Sequence, residues 1–278
     1  MNAKELFQAG QLDEAIAAAV EQVKRHPKDI GQRALLCSLL CFAGSAERAD
    51  KQLDAIGEQE PKAATEIALF RQLVRAEEAR KQFFTEGRLP EFVAEPGAHI
   101  KCHLEASIYL RDGDAAKAVA LLNEAQQCRP AVPGTCDDEA FEDMRDMDDL
   151  TAAYFEVLTS TGKYYWIPME TVELVDFYPP EQPRDLLWRR AHMIVQGGPD
   201  GEVFLPTRYF GSHEDEDDRI RLGRYTDWRG GDESPVRGFG LRTFLVGENA
   251  KSIMELEEIT FDVAELPEEE LPEGEPAE

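Results

Sequence analysis

The polar and apolar positions in the second half of the chain alternate. From Leu186 to Gln196, Trp188, Arg190, His192 and Ile194 fall on one face and Arg189, Ala191, Met193 and Val195 on the other, the two-residue period of a β-strand. The GGPDG run at 197–201 is turn chemistry and EVFLP follows it, which predicts a hairpin. Residues 164–168 (YYWIP), 172–178 (VELVDFY), 241–246 (LRTFLV) and 256–263 (LEEITFDV) are further strand candidates. Short strands at this spacing predict an antiparallel sheet or a small, partly open barrel, with a helix near Asp148 to Leu158 packed on it.

The first 130 residues carry a different period. Gly10, Ala15 and Pro27 recur as Gly44, Ala49 and Pro61, displaced by 34 residues, and the same internal spacing returns at Gly113, Ala118 and Pro130. In a helix–turn–helix repeat the glycine permits the tight turn, the alanine lets the second helix approach its neighbour, and the proline closes the unit. A displacement of 34 residues is the tetratricopeptide (TPR) period. Cys37 and Ala106 fall where that repeat takes a small residue, and Tyr109 where it often takes an aromatic. The first repeat lacks most of its leading helix, Ala63 to Glu86 reads as one long helix that breaks the register, and Gly87 to Gly97 reads as a loop. The expectation is a TPR-like bundle of about six helices that presents a groove to a peptide or helix of another protein. The alternative is that it scaffolds the second half.

Composition supports the division. Residues 1–130 hold 24 of the 32 alanines, while Trp166, Trp188, Trp228 and six of the seven tyrosines lie beyond residue 150. Alanine suits closely packed helices and aromatics suit pleated strands. The predicted class is α+β. A TPR-like all-α helical repeat domain spans 1–130, an acidic linker 131–147, a mainly antiparallel β domain 148–264 and a disordered acidic tail 265–278.

Charge narrows the partners. Thirty Lys and Arg against 56 Asp and Glu give a net charge of −26, while 42% apolar residues suffice for real cores despite a mean hydropathy of −0.45. A polyanion of this size is repelled by nucleic-acid phosphates and anionic lipids, so neither nucleic acid nor membrane is an expected partner. No apolar run approaches the ~18 residues of a membrane helix. MNAKELFQAG does not read as a secretory signal, and five thinly spread cysteines suit a reducing compartment, so a soluble cytoplasmic protein is expected. Carboxylates cluster at Asp137–Asp149, Glu214–Asp218 and Glu265–Glu278, and solvated loops and a disordered tail are the expectation for all three.

Candidate chemistry is sparse. His99, Cys102 and His103 lack a fourth ligand nearby, so neither a metal nor another cofactor is expected. GFG at 238–240 lacks the spacing and the helix of a phosphate loop, no serine sits in a nucleophile elbow, and the five histidines show no metalloprotease spacing. No catalytic residue is assigned, and His192 reads as a packed strand residue. Tyr164, Tyr165, Trp166, Trp188 and Trp228 concentrate aromatic area that can anchor a partner's side chains, and Arg184, Arg189, Arg190 and Arg224 are cations that can pair with nearby Asp185 and Asp227 or with a partner. The alternative is that these aromatics form the domain core and the arginines internal salt bridges.

The strings EVLTSTGKYYWIP, PPEQPRDLLWRRA, GEVFLP, LGRYTDW and GFGLRTFLVG, in that order, resemble the ImpE/SciE (TagJ) family of bacterial type VI secretion accessory proteins. The resemblance runs from about Asp148 to Phe261, and over residues 1–130 only the TPR-like character matches. It implies a cytoplasmic, non-enzymatic adaptor that binds the N-terminal helix of the small subunit of the contractile sheath and links the sheath to ClpV, its disassembly ATPase. A TPR-like chaperone for an unrelated secreted protein and a hydrolase in the second half using Asp/His chemistry are the alternatives.

Overall fold

The first half of the chain folds as its glycine period predicts. In the computed structural model, which describes residues 1–263, seven α-helices precede the sheet: α1 (Ala3–Gln8), α2 (Leu12–Arg25), α3 (Ile30–Phe42), α4 (Ala46–Gln59), α5 (Ala64–Glu86), α6 (Ala98–Arg111) and α7 (Ala115–Cys128). The tail expected over 265–278 lies outside the described residues. Gly10, Gly44 and Gly113 make the turns between paired helices, with φ of 82°, 67° and 80°. The side chains of Asn2, Asp29 and Asp114 cap the N-termini of α1, α3 and α7, each satisfying a backbone N–H that the helix leaves free. Ala15, Ala49 and Ala118 are fully buried, as close approach between helices requires. The long helix and the loop expected after it are both present, α5 ending at a left-handed Gly87.

The second half is built from thirteen described strands. These are β1 (Gly134–Cys136), β2 (Glu139–Phe141), β3 (Met144–Asp146), β4 (Tyr154–Leu158), β5 (Tyr164–Pro168), β6 (Val172–Phe177), β7 (Trp188–Val195), β8 (Asp200–Pro206), β9 (Thr226–Gly231), β10 (Ser234–Gly240), β11 (Thr243–Val246), β12 (Asn249–Ser252) and β13 (Glu258–Phe261). A one-turn helix α8 (Asp218–Arg221) precedes β9. An eight-stranded sheet runs β2-β1-β13-β6-β7-β8-β4-β5, beside a three-stranded sheet β12-β11-β3 and the ribbon β10-β9. Every strand pair is antiparallel. The α+β class therefore stands, and the β7–β8 hairpin forms around the turn at 197–199.

Three expectations need correction. The helix near Asp148 to Leu158 is instead a short 3-10 turn at Asp149–Thr151 followed by β4. All five residues of β4 are buried, because Tyr154 and Leu158 join the helix-side core while Phe155 and Val157 face the second core. A strand buried on both faces loses its two-residue alternation, so its sequence does not distinguish it from a buried helix. Residues 131–147, expected as an acidic linker, carry β1, β2 and β3. Glu214–Asp218 is not a free loop either: Asp218 accepts from the Leu12 N–H at 2.8 Å and so caps α2, and Asp215 pairs with Arg229.

The two halves share one core. Phe42, Leu53, Phe70 and Phe83 of the helices belong to the same buried cluster as Tyr154, Trp166, Trp188 and Phe204 of the sheet. The turns between helices are docking points for the second half: the His213 ring lies against Gly44, and Arg224 donates to the Phe7 and Gln8 carbonyls at the end of α1. A Cβ on Gly44 would come within 2.3 Å of that ring, whereas one on Gly113 would meet nothing within 4 Å. Gly113→Ala is expected to cost about 1–2 kcal/mol for the left-handed backbone, and Gly44→Ala about 1–3 kcal/mol more for overpacking. Thermal unfolding should place Gly44→Ala several degrees below Gly113→Ala; equal melting temperatures would show that the docking contact gives way freely.

Candidate functional site

A chain of buried charges fixes how α5 lies on the sheet. Arg80 of α5 donates to both oxygens of Glu156 on β4 at 2.9 Å, with both side chains almost fully buried. Arg242, between β10 and β11, donates to the Glu156 Oε2 that Arg80 also reaches, and to Asp146 at 2.9 Å. Tyr164 also donates to Glu156 and accepts from the Trp166 indole at 2.7 Å. Asp148, next along, accepts from Arg237 at 2.8 Å and from the Gly238 and Leu150 N–H groups. Three guanidinium groups thus meet three carboxylates, and added hydrogen bonds from Tyr164 and from backbone N–H groups help the buried charge to be tolerated, although the buried Arg242 Nε has no partner among the described residues. Burial pushes the Glu156 carboxyl up, but Arg80 and Arg242 outweigh it and hold the group down at about 2. At Asp146 burial prevails and pushes the carboxyl up to about 6.

From this chain the contacts lead to the surface. Arg80 donates to Glu77 at 3.0 Å, and Glu77 accepts from the Trp188 indole at 3.0 Å. Trp188 meets the edge of Phe70 at 5.8 Å, and Phe70 forms part of the floor of an open groove of about 670 Å³. Helices form the floor and one wall: Phe7 of α1, Ile30 and Leu35 of α3, Ile56 of α4 and Ile67 of α5. The opposite wall comes from the second half, the segment Pro180–Leu186 with Arg224 beside it. That wall is stiffened by a 3-10 turn at Pro183–Leu186, whose Asp185 carboxylate accepts from the N–H groups of Glu181 and Gln182 at 2.9 and 2.8 Å. The groove is mainly apolar, and Ile30, Ala34, Leu35 and Leu186 keep part of their surface uncovered.

The residues singled out from the sequence divide. Tyr164, Trp166, Trp188 and Arg189 are buried, at 3%, 0%, 3% and 4% exposure, so in this fold they are interior groups without area to offer a partner. The aromatics make the helix–sheet junction: Trp166 stacks on Tyr154 at 3.8 Å and meets Phe83 edge-on at 4.7 Å. Arg189 lies over Phe177 and donates to the Ile253 carbonyl. Tyr165 and Trp228 are half-buried, and Arg190 is exposed and paired with Glu202. None of these seven residues lines the groove, whereas Arg184 and Arg224, the other two arginines singled out from the sequence, both do. The groove was missed because its walls come from four helices and a distant segment; the one available signal was PPEQPRDL itself, three prolines beside an apolar pair.

Catalytic geometry is not assembled around the candidate acid–base groups. His192 lies 2.9 Å from Asp200, but among the described residues no hydroxyl or thiol bonds to that histidine. His99 reaches Glu170 at 2.8 Å, and His103 packs edge-on against Tyr154 at 5.7 Å. Burial pushes the His103 imidazole down to about 3, which keeps it neutral. Burial pushes the Cys37 thiol up to about 12. No group of three or more side chains able to hold a metal ion occurs among the described residues, nor is any described helix long and apolar enough to cross a membrane.

Known proteins resemble this arrangement. The ImpE protein family model matches residues 138–260. Over 262 residues the chain is 31% identical to the type VI secretion system accessory component TagJ of Pseudomonas aeruginosa, covering 94% of this chain and 92% of that protein. A crystal structure of a Vibrio parahaemolyticus protein, 29% identical, superimposes with a TM-score of 0.87, covering 95% of this chain and 98% of that one.

The buried charges make stability depend on acid. Glu156 titrates at about 2 when folded against 4.5 as its ordinary value, so its contribution is complete above pH 4.5 and is lost as pH falls toward 2. Asp146, raised from 3.8 to about 6, acts in the opposite sense, adding stability as pH falls from about 6 to 3.8, above most of the window in which Glu156 fails. Glu156→Gln should cost about 3–5 kcal/mol at neutral pH, because it leaves two buried cations short of a partner. It should also flatten the acid limb when urea midpoints are measured against pH. A variant as stable as the parent, with an unchanged acid limb, would show that the network does not hold the junction.

Proposed function

The chain belongs to the ImpE (TagJ) family of type VI secretion accessory proteins, and on that premise we propose that it is a non-enzymatic adaptor. It holds the N-terminal amphipathic helix of the sheath's small subunit in the groove between α1, α3, α4, α5 and the Pro180–Leu186 wall. The observation that supports this reading most is the groove: a mainly apolar trough, formed by packed helices and closed by a stiff wall. Such a trough takes one apolar face of a helix, with anchors at i, i+3, i+4 and i+7. A link to ClpV, by which the adaptor brings the sheath to its disassembly ATPase in the cytoplasm, belongs to the same proposal and rests on the family resemblance alone.

Affinity in such a site comes from buried apolar area concentrated in a few anchors. Leu35→Asp, at a half-exposed position on the groove floor, should therefore weaken the labelled helix peptide by at least about 100-fold, the ~2.7 kcal/mol of a desolvated carboxylate and a lost anchor. Its melting temperature should stay within a few degrees of the parent. Raising salt from low to physiological concentration should change the affinity only modestly, since salt screens mainly exposed charges more than a Debye length (~8 Å) apart and leaves buried apolar contacts untouched. Fluorescence anisotropy across both series checks this. Loss of binding by several orders of magnitude with salt, together with indifference to Leu35→Asp, would move recognition to the acidic clusters.

A further inference from the structure

The groove carries a local charge opposite to that of the protein. The whole chain has a net charge of −26, yet the groove is lined by Lys4, Arg184 and Arg224 against Glu66 and Glu181. The three cations differ in what they already bind. Arg224 is committed to the Phe7 and Gln8 carbonyls. Lys4 is exposed on the first turn of α1. Arg184 lies over the Phe70 ring, its guanidinium carbon 5.6 Å from the ring centroid, its side chain only 12% exposed, and its nearest carboxylates lie at 3.6 Å (Glu66) and 3.8 Å (Asp185).

Those distances are too long for hydrogen bonds. Among the described residues Arg184 is therefore a guanidinium with two long ion pairs and no hydrogen-bonded carboxylate, seated on an apolar floor and partly shielded from water, and Asp185 is already occupied in stiffening the wall. A planar guanidinium so placed matches a carboxylate bidentately, and low local exposure strengthens such a pair. Glu66 is 57% exposed and free to swing away.

We infer that the groove selects an amphipathic helix carrying a carboxylate beside its apolar stripe, and that Arg184 is the residue that reads it. This rests on the groove being the helix site. A purely basic helix, which the overall field of the protein attracts from a distance, is disfavoured at the groove itself by the local cations.

The test uses the full chain and the sheath-subunit helix as a labelled peptide, with each Asp and Glu of that peptide changed in turn to Asn or Gln. One such change should weaken binding about tenfold, the ~1.4 kcal/mol of a half-buried charged pair. Arg184→Gln should weaken the unchanged peptide by the same factor and leave the affinity of the peptide lacking that one carboxylate where it was. Arg184→Lys should fall between, keeping the charge without the fork. If Arg184→Gln weakens both peptides equally, the residue only shapes the wall and the inference is wrong. If neither Arg184→Gln nor any peptide change alters affinity while Leu35→Asp still does, the inference is wrong and the groove reading stands. If no form of the peptide binds the parent protein, the groove reading falls and takes this inference with it.

Discussion

Glu156 is the constraint on which the rest of the structure depends. It stands in the middle of β4, fully buried, and satisfies two guanidinium groups at once, one from a helix 76 residues earlier and one 86 residues later. A carboxylate in such a place is costly to bury unless its partners hold their geometry. The requirement fixes α5 on the sheet in one register and one rotation. Phe83 then meets Trp166, Trp188 reaches Glu77, and the Pro180–Leu186 segment that precedes β7 is carried to the open side of the helices. The groove is a consequence of that docking, since neither half has both of its walls.

This architecture bears on function in a specific way. A helical repeat alone offers a curved surface whose neighbours are free to shift. Here the repeat is bolted at its turns, by His213 against Gly44, by Arg224 at the end of α1 and by Asp218 at the start of α2. A pre-formed apolar trough loses less free energy in ordering when it binds than one that must assemble around its ligand. The charge distribution follows the same division: the chain as a whole is strongly polyanionic, while the groove rim is locally cationic.

Much of the fold was legible in the sequence, and the exceptions have physical causes. The 34-residue glycine period located the helix turns because only glycine takes those left-handed positions without strain. The alternation in β7 was readable because Arg190 and His192 on its outer face meet solvent. β4 was misread because both its faces are covered, so Tyr154 to Leu158 carries no polar beat. Trp166 and Trp188 read as partner anchors or, the better reading for any one of them, as core, and the packing of α5 places them in the core. Asp146, Asp148 and Asp218 read as solvated because their partners, Arg242, Arg237 and the α2 terminus, lie too far along the chain for spacing to reveal, while Asp138, Glu139, Glu142, Glu214 and Glu216 of the same clusters are exposed. The groove was invisible for the same reason, being made of side chains from segments more than a hundred residues apart.

That helices and sheet form one cooperative unit, and so create the groove together, is the central claim. Equilibrium unfolding followed by two probes tests it most directly. All three tryptophans lie in the second half, and Trp166 and Trp188 sit at the junction, whereas far-ultraviolet circular dichroism is dominated by α1 to α7. The account predicts that tryptophan emission and circular dichroism change in a single coincident transition in urea. Two separated transitions, with the helices melting while the tryptophans stay buried or the reverse, would contradict it.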